Sequence, residues 1–307
     1  MEREAKLAGR RGPAGEARGE RGTSDRAPEE QGRVSTGPRA RRSEAEAIER
    51  GSWLPWVSTP IVLLLVLAGW TMAVSVFGVS KFILPTPADV GEAVLRMLAD
   101  PATWGHVLIT LTEVALGFLA ALAFGLVAGV VLGRAEWLER ALRPVLVAVQ
   151  VVPKVAFIPL FVIWFGFGVT SKIIMAATLA FFPIMLNVML GVRSVERGHR
   201  DVMLGLGARR WPTFRDLELP STLPYVFAGM EVAVVFSVIG AVVGEFLGGS
   251  EGLGYLVVVS LNALDAPQLF AVIFLLAALG CLLYLVVNGA KRFVIPWHES
   301  VLAADRP

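Results

Sequence analysis

GLGARRWPTFRDLELP, Gly205 to Pro220, is the stretch on which the reading of this chain turns. It lies between two long apolar segments, yet it carries Arg209, Arg210, Arg215 and Asp216 ahead of Glu218, holds Pro212, and ends on Leu-x-Leu-Pro. A plain connection between two apolar helices would need none of these. The segments on either side set the solvent in which the stretch has to work.

The chain has 307 residues, 55% of them hydrophobic, and a mean hydropathy of +0.65. That composition belongs to membrane proteins rather than to ordinary soluble domains. A net charge of only +2 argues against nucleic acid as a partner. The single cysteine, Cys281, sits in an apolar run and leaves no intrachain disulfide or cysteine-based metal site. His106, His199 and His298 are far apart and suggest no metal cluster.

Residues 1–50 stand apart. They hold 12 Lys/Arg and 10 Asp/Glu, a difference of +2 that equals the net charge of the whole chain, and almost no large apolar side chains. Such a segment buries too little apolar surface to offset its ordering entropy, so it reads as a disordered tail, either simply solvated or tethered to anionic lipid. Residues 51–298 then read as a membrane domain and 299–307 as a short C-terminal tail. A spanning helix needs ~20 mainly apolar residues. Six segments meet that test, at about 53–79, 107–133, 146–165, 173–192, 223–247 and 269–290. Pro153, Lys154 and Pro159 interrupt the third and predict a kink there.

The loop charges orient the spans. The tail, Arg134, Arg140 and Arg143 in one loop, six arginines across 193–222, and Lys291 with Arg292 all fall on one side of a six-span layout. The other side has Lys81, Arg96 and Lys172, and none at 248–268. The positive-inside rule therefore predicts that both termini and the 193–222 loop are cytoplasmic. Facing outward, LPTPADV (Leu84–Val90) reads as an extended turn and GGSEGLGYL as a Gly-rich bend.

No phosphate-cradling GxxxxGK[ST], GxSxG, HExxH or CxxC occurs in the chain. Polar residues within apolar segments are few: Glu113, Gln150, Lys154, Asn187, Glu231, Glu245 and Asn288. Ionisable groups at depth are functional candidates by default. Glu231 and Glu245 are 14 residues apart and share a helix face, so with Lys154 they are candidates to line a translocation path or to pair with one another. Glu113 and Glu245 are equally able to reach an outer interface. In the second segment Gly117, Ala121, Gly125, Gly129 and Gly133 recur every four residues. They form a stripe for a closely packed helix, in this chain or in a second subunit.

Within the 193–222 loop, Val195–Leu206 and Trp211–Leu217 are each long enough for two or three helical turns. Gly207 between them suits a helix C-terminus, and Pro212 suits the first turn of the next helix. Arg209, Arg210 and Trp211 then form a basic, aromatic tip. It fits a docking knob for a protein partner, with lipid headgroups as the alternative contact.

The loop resembles the cytoplasmic motif of bacterial ABC importer permeases: Glu-Ala-Ala, three residues, Gly, nine residues, Ile-x-Leu-Pro. With Gly207 as the motif glycine, nine residues lead to Leu217, Glu218, Leu219 and Pro220. The first three positions are Asp201, Val202 and Met203, which keep the acid and replace both alanines. LPTPADV, PKVAFIPLFVIWFGFG (Pro153–Gly168) and GEFLGGSEGLGYL (Gly244–Leu256) are similar to permeases of the nitrate, sulfonate, taurine and thiamine-precursor group. The resemblance implies an all-α, polytopic type I importer permease in a bacterial inner membrane. It implies a second permease subunit, an extracytoplasmic solute-binding protein, and ATPase subunits that bind the ATP and dock around Ala208, Arg209 and Trp211. It implies no catalytic residue, cofactor or metal in this chain. A secondary transporter driven by an ion gradient is the alternative, although no internal repeat or midplane ion site supports it.

Overall fold

The computed structural model of the chain describes residues 54–297, with no β-strand among them. The tail expected at 1–50 and the C-terminal piece 299–307 lie outside the described residues. The helices in chain order are α1 (Leu54–Ser75), α2 (Pro87–Ala99), α3 (Pro101–Arg134), α4 (Glu136–Val151), α5 (Ile158–Phe165), α6 (Val169–Arg193), α7 (Arg197–Gly205), α8 (Arg210–Thr213), α9 (Leu219–Gly248), α10 (Leu253–Asn262) and α11 (Ala266–Val294). Each of the six apolar segments falls on α1, α3, the α4–α5 pair, α6, α9 or α11. Among the described residues α3, α6, α9 and α11 are each long and apolar enough to cross a membrane, and the bent α4–α5 pair makes a fifth candidate. In α1, of 22 residues, Leu63, Leu64 and Leu65 are 60%, 65% and 66% exposed, a surface suited to hydrocarbon rather than water.

The centre of the bundle is α6, held between α3 and α9. The small-residue stripe of α3 explains one side. A Cβ on Gly117 would lie 2.5 Å from Ala176 Cβ, and one on Gly129 would lie 2.6 Å from Val188 Cβ. A Cβ on Gly125 or Gly133 would lie 2.8 Å from Ile184 or Val192. The α6 residues that fill the stripe also recur at intervals of four, which is the geometry of helices approaching through small residues. The stripe is thus packing within this chain and not a surface left for another subunit. On the other side, a Cβ on Gly240 of α9 would lie 2.6 Å from the Ala176 Cα.

A second cluster joins Ala93 and Met97 of α2, Leu253 of α10, and Ala271, Val272 and Leu279 of α11. The α2 start corrects the reading of LPTPADV as an extended turn alone. Thr86 and Asp89 form a reciprocal capping box, and Pro87 opens the helix. Of the two prolines, only Pro85 stays in the connection, where its carbonyl accepts from Trp70 Nε1 at 2.9 Å.

The third span is more broken than a kink. α4 ends at Val151, a 3₁₀ turn covers Lys154–Phe157, and α5 follows. The two arms meet at 81°. Pro153 has no N–H to continue the ladder and biases Val152 to the extended conformation it adopts, ψ 128°.

Candidate functional site

The quoted stretch folds as a short projection at the end of the bundle where α3 finishes. α7 stops at Gly205, one residue short of the expected end, and Gly207 follows at φ +75°. This left-handed position is open to glycine at little cost. The N–H of Ala208 returns to the Met203 carbonyl at 2.9 Å and closes the turn. α8 is shorter than expected, but the chain does not break at Leu217-x-Leu219-Pro220. A π-helical turn over Phe214–Glu218 carries it into α9, with Pro220 in the first turn. Proline is tolerated there because its missing N–H would have had no helical partner.

Arginines tie this projection to the bundle. Glu218 is held by Arg134 of α3 at 2.7 Å and by Arg200 of α7 at 3.4 Å. The Arg134 guanidinium also lies 5.5 Å from the Phe214 ring centroid. Arg193 donates to the carbonyls of Leu132 and Gly133 at the end of α3 and lies 3.6 Å from Glu139 of α4. A groove of about 690 Å³ opens among Arg134, Arg200, Arg210, Trp211, Phe214 and Glu218. Arg209 and Arg210 are exposed beside it, and Trp211 is 68% exposed. Asp201 and Leu219 are exposed, while Ala208, Leu217 and Pro220 are half-buried.

The intramembrane polar residues do not form one constellation. Glu231 pairs with Lys291 of α11 at 2.9 Å. Lys154 sits with its Nζ 4.7 Å from the Phe182 ring centroid. Glu245 is wholly buried, and its carboxylate accepts from Thr110 Oγ1 at 2.6 Å and from the backbone N–H of Gly254. Neither glutamate therefore pairs with Lys154, and Glu245 faces the interior of the fold rather than an open path. Gln150 is exposed, and the Asn187 side chain is satisfied by the Pro183 carbonyl one turn back.

The role of Lys172 is absent from the sequence reading, which places it in a loop. It lies in the first turn of α6, buried, with Nζ 3.1 Å from Glu113 Oε1 and 3.5 Å from the Glu251 carbonyl. Glu113 is not at a helix end. It lies a third of the way along α3 and is fully buried. Around these side chains the bend at Gly249–Gly254 closes like a collar. Leu253 N–H donates to Thr110 Oγ1 at 2.8 Å and Gly252 N–H to His106 Nδ1 at 3.0 Å. Gly252 has φ +106°, and any Cβ there would collide with the Glu245 carboxylate. Gly252 and Gly254 are needed because the backbone there wraps a buried acid. Among the described residues no group of side chains is arranged to hold a metal.

Residues 121–298 match the family described as "Binding-protein-dependent transport system inner membrane component". A riboflavin transport system permease protein of Chloroflexus aurantiacus is 37% identical over 254 residues, covering 83% of this chain and 94% of the relative. A formylaminopyrimidine transport permease protein of Halalkalibacterium halodurans is 33% identical, covering 78% and 95%. The taurine transport system permease protein of Escherichia coli is 31% identical, covering 80% and 90%. A chain of the inward-facing methionine ABC transporter aligns with a TM-score of 0.49 at 20% identity, covering 66% of this chain and 98% of that one.

Proposed function

The chain belongs to the family of binding-protein-dependent transport system inner membrane components, and we propose that within an ABC importer it couples a separate ATPase to passage of a small solute through the 193–222 loop. As a permease it is a multi-pass inner-membrane transport component and not an enzyme. The observation that carries the coupling role is the arginine-fastened projection. Trp211 and Arg210 stand at its tip, and Glu218 at its base is pinned to α3 and α7. A partner pushing on the tip moves the start of α9 with it, because the π turn leaves no flexible joint between them. Coupling requires contacts that differ between two states, and a stiff lever transmits such a difference.

In this reading both termini and the projection are cytoplasmic, ATP is bound and hydrolysed on the partner, and a solute-binding protein delivers cargo at the opposite end. A second permease subunit, most simply another copy of this chain, completes the path. Relatives are named for riboflavin, a formylaminopyrimidine, aliphatic sulfonates, taurine and nitrate, which keeps the solute small and organic or oxyanionic.

The test is recovery of partners with tagged protein in mild detergent from its native host. Wild type is expected to bring down a P-loop ATPase. A variant with Arg209, Arg210 and Trp211 changed to Ala should not. Absence of an ATPase under conditions that keep other membrane complexes intact would overturn the coupling role and leave the ion-driven transporter as the reading to test.

A further inference from the structure

We propose that Lys154 and the rings of Phe124, Phe181 and Phe182 form a mid-membrane subsite for a planar heteroaromatic solute bearing hydrogen-bond acceptors. The proposal rests on the importer reading and deepens it by naming the class of cargo.

Depth comes first. Phe182 lies near the middle of α6, which runs Val169–Arg193. At ~1.5 Å per residue that places it roughly 15–20 Å from either end. The Lys154 ammonium, 4.7 Å from that ring centroid, is therefore near mid-depth. Two other lysines in apolar helices are matched with acids, Lys172 with Glu113 and Lys291 with Glu231. Among the described residues Lys154 takes part in no ion pair; its ammonium lies over the Phe182 ring. An unmatched cation at depth is retained where it faces a polar cavity or a ligand.

The backbone agrees. Residues 152–157 leave the α-helical ladder between the two arms of the bent pair, and Pro153, Val155 and Phe157 are exposed there. Irregular backbone at membrane depth is tolerated where it is buried in protein or lines an aqueous path, not against lipid. A discontinuous helix beside a midplane site is a recurring design in transporters.

Chemistry of the wall gives the class of ligand. Phe182 is shared between Lys154 and a groove of about 460 Å³ between α3 and α6, lined also by Ala120, Phe124, Thr178 and Phe181. Small-molecule sites occupy roughly 300–1,000 Å³. Phe181 and Phe182 meet edge to face at 5.2 Å, so they offer two ring surfaces at right angles. The Thr178 hydroxyl is already committed to the Ile174 carbonyl at 2.7 Å. Aromatic faces reward a conjugated ring, and the ammonium supplies donors to a carbonyl or anionic edge. Nitrate would use the cation and leave the rings idle. An alkyl sulfonate would have no ring to stack.

The experiment measures initial uptake of labelled riboflavin and of labelled taurine by native-host cells in which the chromosomal copy of this chain is wild type, deleted, or replaced by Lys154→Met, Lys154→Arg or Phe182→Leu. Co-recovery of the ATPase with each tagged variant is scored in parallel. Riboflavin uptake should depend on the chain and taurine uptake should not. Lys154→Met and Phe182→Leu should each raise the riboflavin KM or lower its rate by about tenfold, the size of one lost charged or stacking contact. Lys154→Arg should restore most of it, and the ATPase should be recovered with all of them. Wild-type uptake in Lys154→Met, or chain-dependent uptake of taurine alone or of neither probe, overturns the subsite. Loss of the ATPase from Lys154→Met but not from Lys154→Arg or Phe182→Leu would also overturn it, by making Lys154 a structural residue. Failure of wild type to recover any ATPase would instead count against the importer reading, so the two failures are separable.

Discussion

The two connections at opposite ends of the bundle are anchored by opposite means. At one end the Gly249–Gly254 bend is fastened by Glu245, a fully buried carboxylate that accepts from Thr110 and Gly254 and excludes any side chain at Gly252. At the other, the 194–218 connection is fastened by Glu218, which is partly open to solvent and gripped by two arginines that are themselves 38% and 53% exposed. A buried acid that loses its partners, or partners that lose their acid, cost far more than a solvated pair. The first connection is therefore built to stay put. The second is held firmly enough to have one shape and lightly enough to change partners.

The sharpest way to break this contrast is at Glu245. Glu245→Ala strands the Gly254 N–H inside the fold, leaves the Thr110 hydroxyl only the longer contact to the His106 carbonyl, and opens a void beside Lys172 and Glu113. The expected loss is about 3–5 kcal/mol, seen as a large drop in the melting temperature of the purified protein in detergent and in its yield. A variant that melts with wild type would show that the collar is not held by this side chain.

A smaller effect is expected in the bundle between the two ends. Gly129→Val forces a side chain into a gap where Val188 Cβ already stands 2.6 Å from the site of the new atom. The cost should be about 1–3 kcal/mol of melting stability. Val188→Ala in the same protein should recover part of it, because it removes the Cγ1 that would lie 2.8 Å from the new Cβ, although the Val188 Cβ itself stays. Additive losses in the double variant would mean that the stripe does not face α6.

These sites also mark what the sequence could convey. The four-residue recurrence from Gly117 to Gly133 specifies a closely packed helix but not whose helix it is. That answer depends on α6 carrying Ala176, Ile184, Val188 and Val192 at the matching spacing. The spacing from Asp201 through Gly207 to Pro220 was legible because turn chemistry is local, and the structure puts Gly207 at a positive φ. The collar was not. Its partners Thr110, Glu113, Lys172 and Glu245 come from three helices, with 135 residues between the two that share a hydrogen bond, and Lys172 sits close enough to a helix start to look like a loop charge. Lys154 was visible as an oddity in an apolar run, while its approach to the Phe182 ring was not, and one-dimensional hydropathy averages the 81° bend beside it into a single span.

At the projection the expected effects on stability fall while those on transport rise. Gly207→Val places a β-branched residue at φ +75°, where no neighbour blocks it and the penalty is backbone strain alone, about 1–2 kcal/mol. The protein should insert and purify normally, with the turn between α7 and α8 displaced. Uptake in the native host should fall well below that of wild type at equal expression. Normal uptake would remove Gly207 from the proposed coupling path.

Glu218→Gln is the finest of these tests, since it keeps the shape of the side chain and removes only its charge. Arg134 and Arg200 lose a partner that was partly solvated, so the melting temperature should barely move, a cost under about 1 kcal/mol. The base of the lever, however, is no longer pinned on both sides, because the single amide oxygen accepts from one arginine while the NH2 group faces the other. ATP hydrolysis by the assembled importer should continue while solute uptake per ATP falls. That split separates a mechanical role from a merely structural one. If uptake and hydrolysis fall together, Glu218 serves assembly. If neither changes, the arginine clamp is incidental, and the stiffness of the projection resides in the π turn and the left-handed Gly207 alone.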